Sequence, residues 1–180
     1  MFRGAQPVSK LLGIPQVLDN LKQTLNFSNS SSLSFGHARL VTNGSQLRNE
    51  NNQPVLKEDI IGIHNGIVTN VEELWEDHSV LKRKFEIDSE IIFTLISEGI
   101  NRHKMSIAES INWALEQIVG TVSIAFLLTN QKQLALYSNN GSLYNLFIPN
   151  QFLIFASEKI FLENIVTRFN LSSRFSSEVN

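Results

Sequence analysis

The chain has no cysteine among its 180 residues. That absence excludes disulfides, thiolate zinc sites and iron–sulfur clusters, and it fits a reducing compartment. Four prolines and nine glycines are too few for a collagen-like or linker-rich chain. No apolar run is long enough to span a bilayer. The start, Met1-Phe2-Arg3-Gly4-Ala5-Gln6-Pro7, lacks the apolar region of a secretory signal, so the expected location is cytoplasmic, with no membrane contact. Net charge is −2, with lysine and arginine scattered and not striped among aromatics, which argues against a nucleic-acid partner. The four histidines, His37, His64, His78 and His103, lack close ligand spacing, so neither a metal nor another cofactor is expected.

With 42% hydrophobic residues, the chain can bury a sizeable core, most simply as one domain. Residues 1–34 are weakly patterned, with a short helix expected near Gln16 to Leu25 and a Ser/Asn-rich loop from Asn26 to Ser34. Residues 35–169 carry the organised core, and 170–180 read as a polar tail. Leu33 to Val41 reads as a strand, followed by a polar loop to Gln53, and Asp59 to His64 reads as a second strand ending in Asn65-Gly66. After Asn70, the apolar positions Val71, Leu74, Trp75 and Leu81 fall on one face of a helix. Its acids, Glu72, Glu73, Glu76 and Asp77, come early and its bases, Lys82, Arg83 and Lys84, late, as the helix macrodipole favours.

A second helix follows Asp88-Ser89 and is weakened or ended by Gly99. Ser106-Ile107-Ala108-Glu109 has the capping-box form and opens a third helix running through Trp113 and Ile118. The pattern then turns to strands at Thr121–Thr129, Leu134–Ser138, Leu143–Ile148 and Phe152–Ala156, and a last helix is expected over Ser157–Phe169. Helices and strands come in blocks, which gives the class α+β with largely antiparallel sheet.

Three segments carry chemistry: Gly36-His37-Ala38-Arg39 with Thr42-Asn43-Gly44, then His64-Asn65-Gly66, then Asp88-Ser89-Glu90. A guanidinium suits a carboxylate and an acidic side chain at a helix start suits an ammonium, so Arg39 and Asp88 could grip the two ends of an α-amino acid. Asn65 and Gly66 could then offer a side-chain amide and a backbone N–H to a developing oxyanion. Singly, each has a plainer reading: Asp88 as an N-cap, Asn65-Gly66 as a turn, Arg39 as half of an ion pair.

In order, these segments resemble the class II glutamine amidotransferase domain. Its Gly-His-x-Arg-x-x-Thr-x-Gly is similar to Gly36 through Gly44, its Asn-Ala-(Gln/His)-Pro to Asn51-Asn52-Gln53-Pro54, and its His-Asn-Gly-x-(Ile/Leu)-x-Asn to His64 through Asn70. Its (Thr/Ser)-Asp-(Thr/Ser)-Glu is similar to Ile87-Asp88-Ser89-Glu90, and Gly120 to Ser123 with Gly141-Ser142-Leu143 follow in the expected order. The resemblance is strongest from about Phe35 to Ile96.

The resemblance implies an N-terminal-nucleophile hydrolase fold, a four-layer α/β/β/α sandwich of two antiparallel sheets. It also implies release of ammonia from L-glutamine for a partner synthase, isomerase or transferase domain. By the same carry-over, Arg39 binds the glutamine carboxylate, Asp88 its ammonium, Thr42 and Asn43 shape the loop around it, and Asn65 and Gly66 form the oxyanion hole.

The family's nucleophile is a cysteine at the mature N-terminus. Here position 2 is Phe2, and Gln6 and Pro7 stand where the family's opening Asp-Ser is expected, so the first strand of the fold is expected to be missing. Leu40 replaces the aromatic residue common after the arginine. Two functions follow: a glutaminase domain whose nucleophile is absent from this chain, or a noncatalytic glutamine-binding, regulatory or scaffold module of the same fold. The form of His64 to Ile67 leans to the fructose-6-phosphate aminotransferase branch of the family and that of Asp88 to Glu90 to the phosphoribosyl branch. A homo-oligomer is compatible with either.

Overall fold

The computed structural model describes residues 6–25, 32–38, 44–45 and 47–171. Two short helices, α1 (Val8–Leu12) and α2 (Pro15–Leu25), open the chain. Residues 32–38 form neither helix nor strand, so the strand expected over Leu33–Val41 is absent from its described part. Among the described residues no strand precedes β1 (Val55–Lys57). This short strand pairs antiparallel with β2 (Ile60–Val68), which pairs in turn with β3 (Gly120–Leu128), and β3 with β4 (Gln133–Ser138).

The strand expected to stop at His64 runs on to Val68, with Asn65 opposite Ser123 and Gly66 opposite Val122. Asn65-Gly66 is therefore an in-strand pair and not a turn. Asn-Gly is the commonest hairpin dipeptide, but here β3 offers nine residues of uninterrupted partner, and the ladder overrides the local turn preference.

Alternation along β2 and β3 divides the sheet into two faces. One face carries Ile60, His64 and Val68 with Val122, Ile124, Phe126 and Leu128, all buried. Against it lie α3 (Val71–Asp77), α4 (Ser89–Asn101) and α5 (Ile107–Leu115), which supply Leu74, Ile91, Ile92, Phe93, Leu95, Ile96 and Ala114 to a single core cluster. Phe93 meets Phe126 edge-on with ring centroids 6.0 Å apart.

Helix α3 stops at Asp77, earlier than the apolar spacing suggested, so Lys82, Arg83 and Lys84 do not form its last turn. They lie in the connection to α4, where Arg83 reaches back to both carboxylate oxygens of Glu72, at 2.8 and 2.7 Å. Gly99 does not end α4, which continues to Asn101. A Cβ there would come within 2.9 Å of Ser110 Oγ and Cβ, so the missing side chain lets α4 and α5 pack closely. The Ser106–Glu109 capping box forms as expected, although α5 ends at Leu115.

The second sheet is a hairpin of β5 (Tyr144–Ile148) and β6 (Phe152–Ala156), with α6 (Lys159–Arg168) on its outer face. Leu146, Ile148 and Leu162 are buried there. The inner faces of the two sheets meet around a cavity of about 190 Å³, with Ile63 and Ala125 on one side and Phe155 on the other. The layer order is thus helices α3–α5, four-stranded sheet, two-stranded sheet, α6. This is the α/β/β/α sandwich that the resemblance implied.

Candidate active site

The site forms where β2 outruns its short neighbour β1. In an antiparallel ladder the peptide groups of alternate residues point to opposite edges. His64 turns both its N–H and its C=O toward the β1 edge, and the Gln53 side chain meets them there: His64 N–H donates to Gln53 Oε1 at 2.6 Å and Gln53 Nε2 donates to His64 O at 2.8 Å. Four residues on, Val68 N–H donates to Asp88 Oδ2 at 3.0 Å. Gly66 lies midway between these anchors, and the alternation turns its N–H to the same edge. Its opposite number, Val122, spends its own peptide on Asn139, donating to the side chain at 2.7 Å and accepting from the backbone at 2.9 Å.

Only glycine fits at position 66. Its φ is +142°, and a Cβ there would lie 1.9 Å from Thr121 O and 2.9 Å from His64 Nε2. The backbone is therefore bare at the point where an N–H is presented.

Asp88 is 5% exposed. It does not cap α4, because its own φ and ψ are already helical and its carboxylate accepts from no backbone N–H of the first turn. Besides Val68, it accepts from Ser89 Oγ at 3.4 Å. Among the described residues no lysine or arginine pairs with it. A buried carboxylate without a cation is a standing attraction for a bound ammonium.

The His64 imidazole is 3% exposed, with Nδ1 3.0 Å from Ser89 Oγ and Nε2 3.3 Å from Thr121 O. Burial pushes its pKa below the ordinary value; the Asp88 charge and the Thr121 carbonyl act in the opposite direction with less effect. The ring is thus a neutral support beneath Gly66.

Asn65, Gly66 and Asp88 line one cavity of about 360 Å³, together with His37, Gln53, Ser89, Thr121, Asn140 and Ser142. The side chain of Asn65 is exposed to it and has no hydrogen bond among the described residues. Arg39, Thr42 and Asn43 lie outside the described residues. The flanks of their segment are described: Ala38 lines the cavity, and Gly44, with φ +72°, sits against Glu86 and Asn51.

Asn51 and Glu86 lock that flank reciprocally. Asn51 Nδ2 donates to Glu86 Oε2 at 2.8 Å, and Glu86 N–H donates to Asn51 Oδ1 at 3.1 Å. Arg48 adds an ion pair at 2.7 Å. The Asn51 amide, then Ser45 N–H and Arg48, hold the Glu86 carboxyl below the usual carboxylate range.

Three of the six residues singled out from sequence are therefore brought together. Those that sequence reasoning passed over as site residues are Gln53, His64, Ser89, Thr121, Asn140 and Ser142. Gln53, His64, Ser89, Thr121 and Ser142 lay inside the quoted motifs. Asn140 carried only the turn signal of Asn139-Asn140-Gly141. Among the described residues no cluster of histidines and acids could hold a metal.

Residues 37–164 match the model of a family described as glutamine amidotransferase domain. Among curated proteins, the chain is 26% identical over 161 residues to the glutamine–fructose-6-phosphate aminotransferase of Buchnera aphidicola, a match covering 87% of this chain and 26% of that protein. It is 29% identical over 109 residues to the Bradyrhizobium diazoefficiens enzyme of the same name, covering 59% and 18%. The chain thus spans about a quarter or less of the curated relatives it matches. Among solved structures, the glutamine phosphoribosylpyrophosphate amidotransferase of B. subtilis, complexed with ADP and GMP, superposes with a TM-score of 0.55 at 16% identity. That match covers 80% of this chain and 29% of that one, and at this identity it speaks for the fold.

Proposed function

Since this chain belongs to the glutamine amidotransferase domain family, we propose that its 360 Å³ cavity binds L-glutamine, with the ammonium on Asp88 and the side-chain carbonyl between the Asn65 amide and the Gly66 N–H. Arg39 takes the α-carboxylate in this reading, and Thr42 and Asn43 close the loop around it. The observation that carries the proposal is the convergence on one cavity of a buried carboxylate that pairs with no lysine or arginine among the described residues and a bare in-strand N–H.

Two donors fixed on a strand suit an oxyanion because they need no reorganisation as charge develops, and losing one such donor typically costs on the order of a hundredfold in rate. The full reaction attacks the amide carbonyl, expels ammonia, and lets water release glutamate. The 180 residues hold no thiol to make that attack. For these 180 residues the reading is glutamine binding, with hydrolysis drawing on a nucleophile that they do not supply. The ammonia acceptor is then a synthase or transferase domain, and the curated relatives favour one that aminates a sugar phosphate. Glutamine binding without chemistry, as a regulatory or scaffold module, is the second reading.

Titration calorimetry of the pure chain with L-glutamine tests the proposal. The expected result is saturable binding that weakens at least tenfold in Asp88→Asn and in Arg39→Ala, since a hydrogen bond to a charged group contributes about 1.5–3 kcal/mol. No ammonia should accumulate. Binding indifferent to both substitutions would overturn the pocket assignment, and ammonia release would overturn the binding-only reading.

A further inference from the structure

The cavity holds a third amide that neither the motifs nor the family match singles out. Asn140 follows β4 in the turn to β5, and its side chain lines the cavity beside Asn65. Its orientation is fixed by what surrounds its oxygen. Ser142 N–H, a donor that cannot act as acceptor, lies 3.0 Å from Asn140 Oδ1. Ser123 Oγ and Ser138 Oγ lie 2.8 and 3.0 Å from the same atom, and 2.8 Å from each other. With one obligate donor and two hydroxyls gathered on Oδ1, the amide cannot be flipped, so Nδ2 is the free end. It makes no hydrogen bond among the described residues.

The register places this donor. Asn65 pairs with Ser123 across β2 and β3, and Ser123 with Ser138 across β3 and β4, so the three side chains form one row on the inner face of the sheet. Asn140 sits on that row through its bonds to both serines. The row therefore presents two amides to one cavity: that of Asn65, and that of Asn140 with its oxygen tied down.

We infer that Asn140 is a ligand-binding residue whose Nδ2 donates to the side-chain carbonyl oxygen of the bound carboxamide amino acid, as a partner to the Asn65 amide. This rests on the glutamine reading above. The serine pair and Ser142 N–H are the supports that aim it. A donor whose acceptor end is already satisfied loses little freedom when the ligand arrives, which is how preorganised donors contribute.

The test crosses a residue change with a ligand change, using the full chain. L-glutamine and L-norvaline, which has the α-amino acid head but no side-chain carbonyl, are titrated into the wild type and Asn140→Asp. Aspartate keeps an acceptor for Ser142 N–H and removes the Nδ2 donor, and a thermal melt checks that the fold survives. The expected result is a loss of about tenfold or more for L-glutamine with L-norvaline affinity unchanged.

Equal losses for both ligands would make Asn140 a structural support and overturn the inference. So would a glutamine affinity that does not move. If Asn140→Asp fails to fold, Asn140→Ser takes its place in the same cross with the same outcomes. Should the wild type bind no L-glutamine at all, the glutamine reading itself falls and takes this inference with it; binding by the wild type that ignores Asn140 overturns only the inference.

Discussion

Gly66 and His64 show how closely this site depends on single atoms. Adding one carbon in Gly66→Ala sets a methyl group 1.9 Å from a carbonyl oxygen of the adjacent strand, and that strand is pinned on both sides and cannot retreat. The expected outcome is a destabilisation of about 3 kcal/mol, read from urea melts. A loss under about 0.5 kcal/mol would mean that the strand yields more easily than its pairing suggests.

His64 makes a pH-dependent contribution of a definite sign. Burial holds its folded pKa below the unfolded value, so as pH falls through about 6.5 the unfolded chain takes up the proton first. Stability is full above that pH and declines below it until the folded pKa is passed. The urea midpoint should therefore fall between pH 8 and pH 5.5, by less in His64→Gln, and an identical fall in both proteins would assign the effect to another group. Glu86 does not confuse the measurement. Its folded pKa is depressed, so its contribution is intact above the unfolded carboxylate value and is lost only at more acid pH.

Among the elements, α4 is held to the sheet by more than its apolar face. Glu90, fully buried in its first turn, accepts from Lys84 N–H at 2.9 Å and Phe85 N–H at 2.7 Å. It also pairs with the buried Lys57 of β1 at 3.3 Å, and Lys57 in turn donates to Lys82 O at 2.9 Å. One carboxylate therefore ties β1, the 82–85 connection and α4 together, two residues from Asp88. Glu90→Ala strands the Lys57 charge and should cost about 3–5 kcal/mol in a denaturant melt, with glutamine affinity falling as well because Asp88 loses its mooring. A loss of stability with binding intact would separate the two residues.

Much of this layer was legible before the structure. The Ser106 capping box, the strands from Gly120 to Ala156 and the helix after Asp88 carry their periodicity and end signals in a few adjacent residues. What was not legible was set at a distance. Whether β2 ends at His64 or runs to Val68 depends on a partner strand more than fifty residues later. Whether α3 reaches Leu81 depends on Arg83 turning back to Glu72. The short β1, with three residues, is too brief to show a period. At the site, Asn65, Gly66 and Asp88 were readable as motif members, whereas Asn140 acquires its role only because two serines from different strands meet its oxygen.

At the scale of the whole molecule the two halves of the sandwich are unequal. The core cluster lies entirely between the four-stranded sheet and helices α3–α5. The hairpin β5–β6 is covered by α6 but leaves Phe147 61% and Leu153 41% exposed. Native-state hydrogen exchange should show amides of β5, β6 and α6 opening at clearly lower free energy than those of β2, β3 and α4. Equal protection would show the sandwich to be one cooperative unit. No helix among the described residues is long and apolar enough to cross a membrane.

The bare peptide at position 66 has a meaning for packing as well as for binding. A donor made from backbone comes with the fold: with β2 packed against β3 in this way, sterics alone call for glycine at this position, whatever chemistry the cavity performs. Packing alone thus accounts for Gly66, while the side chains of Asp88 and Asn140 are the positions at which substitution reports on ligand use.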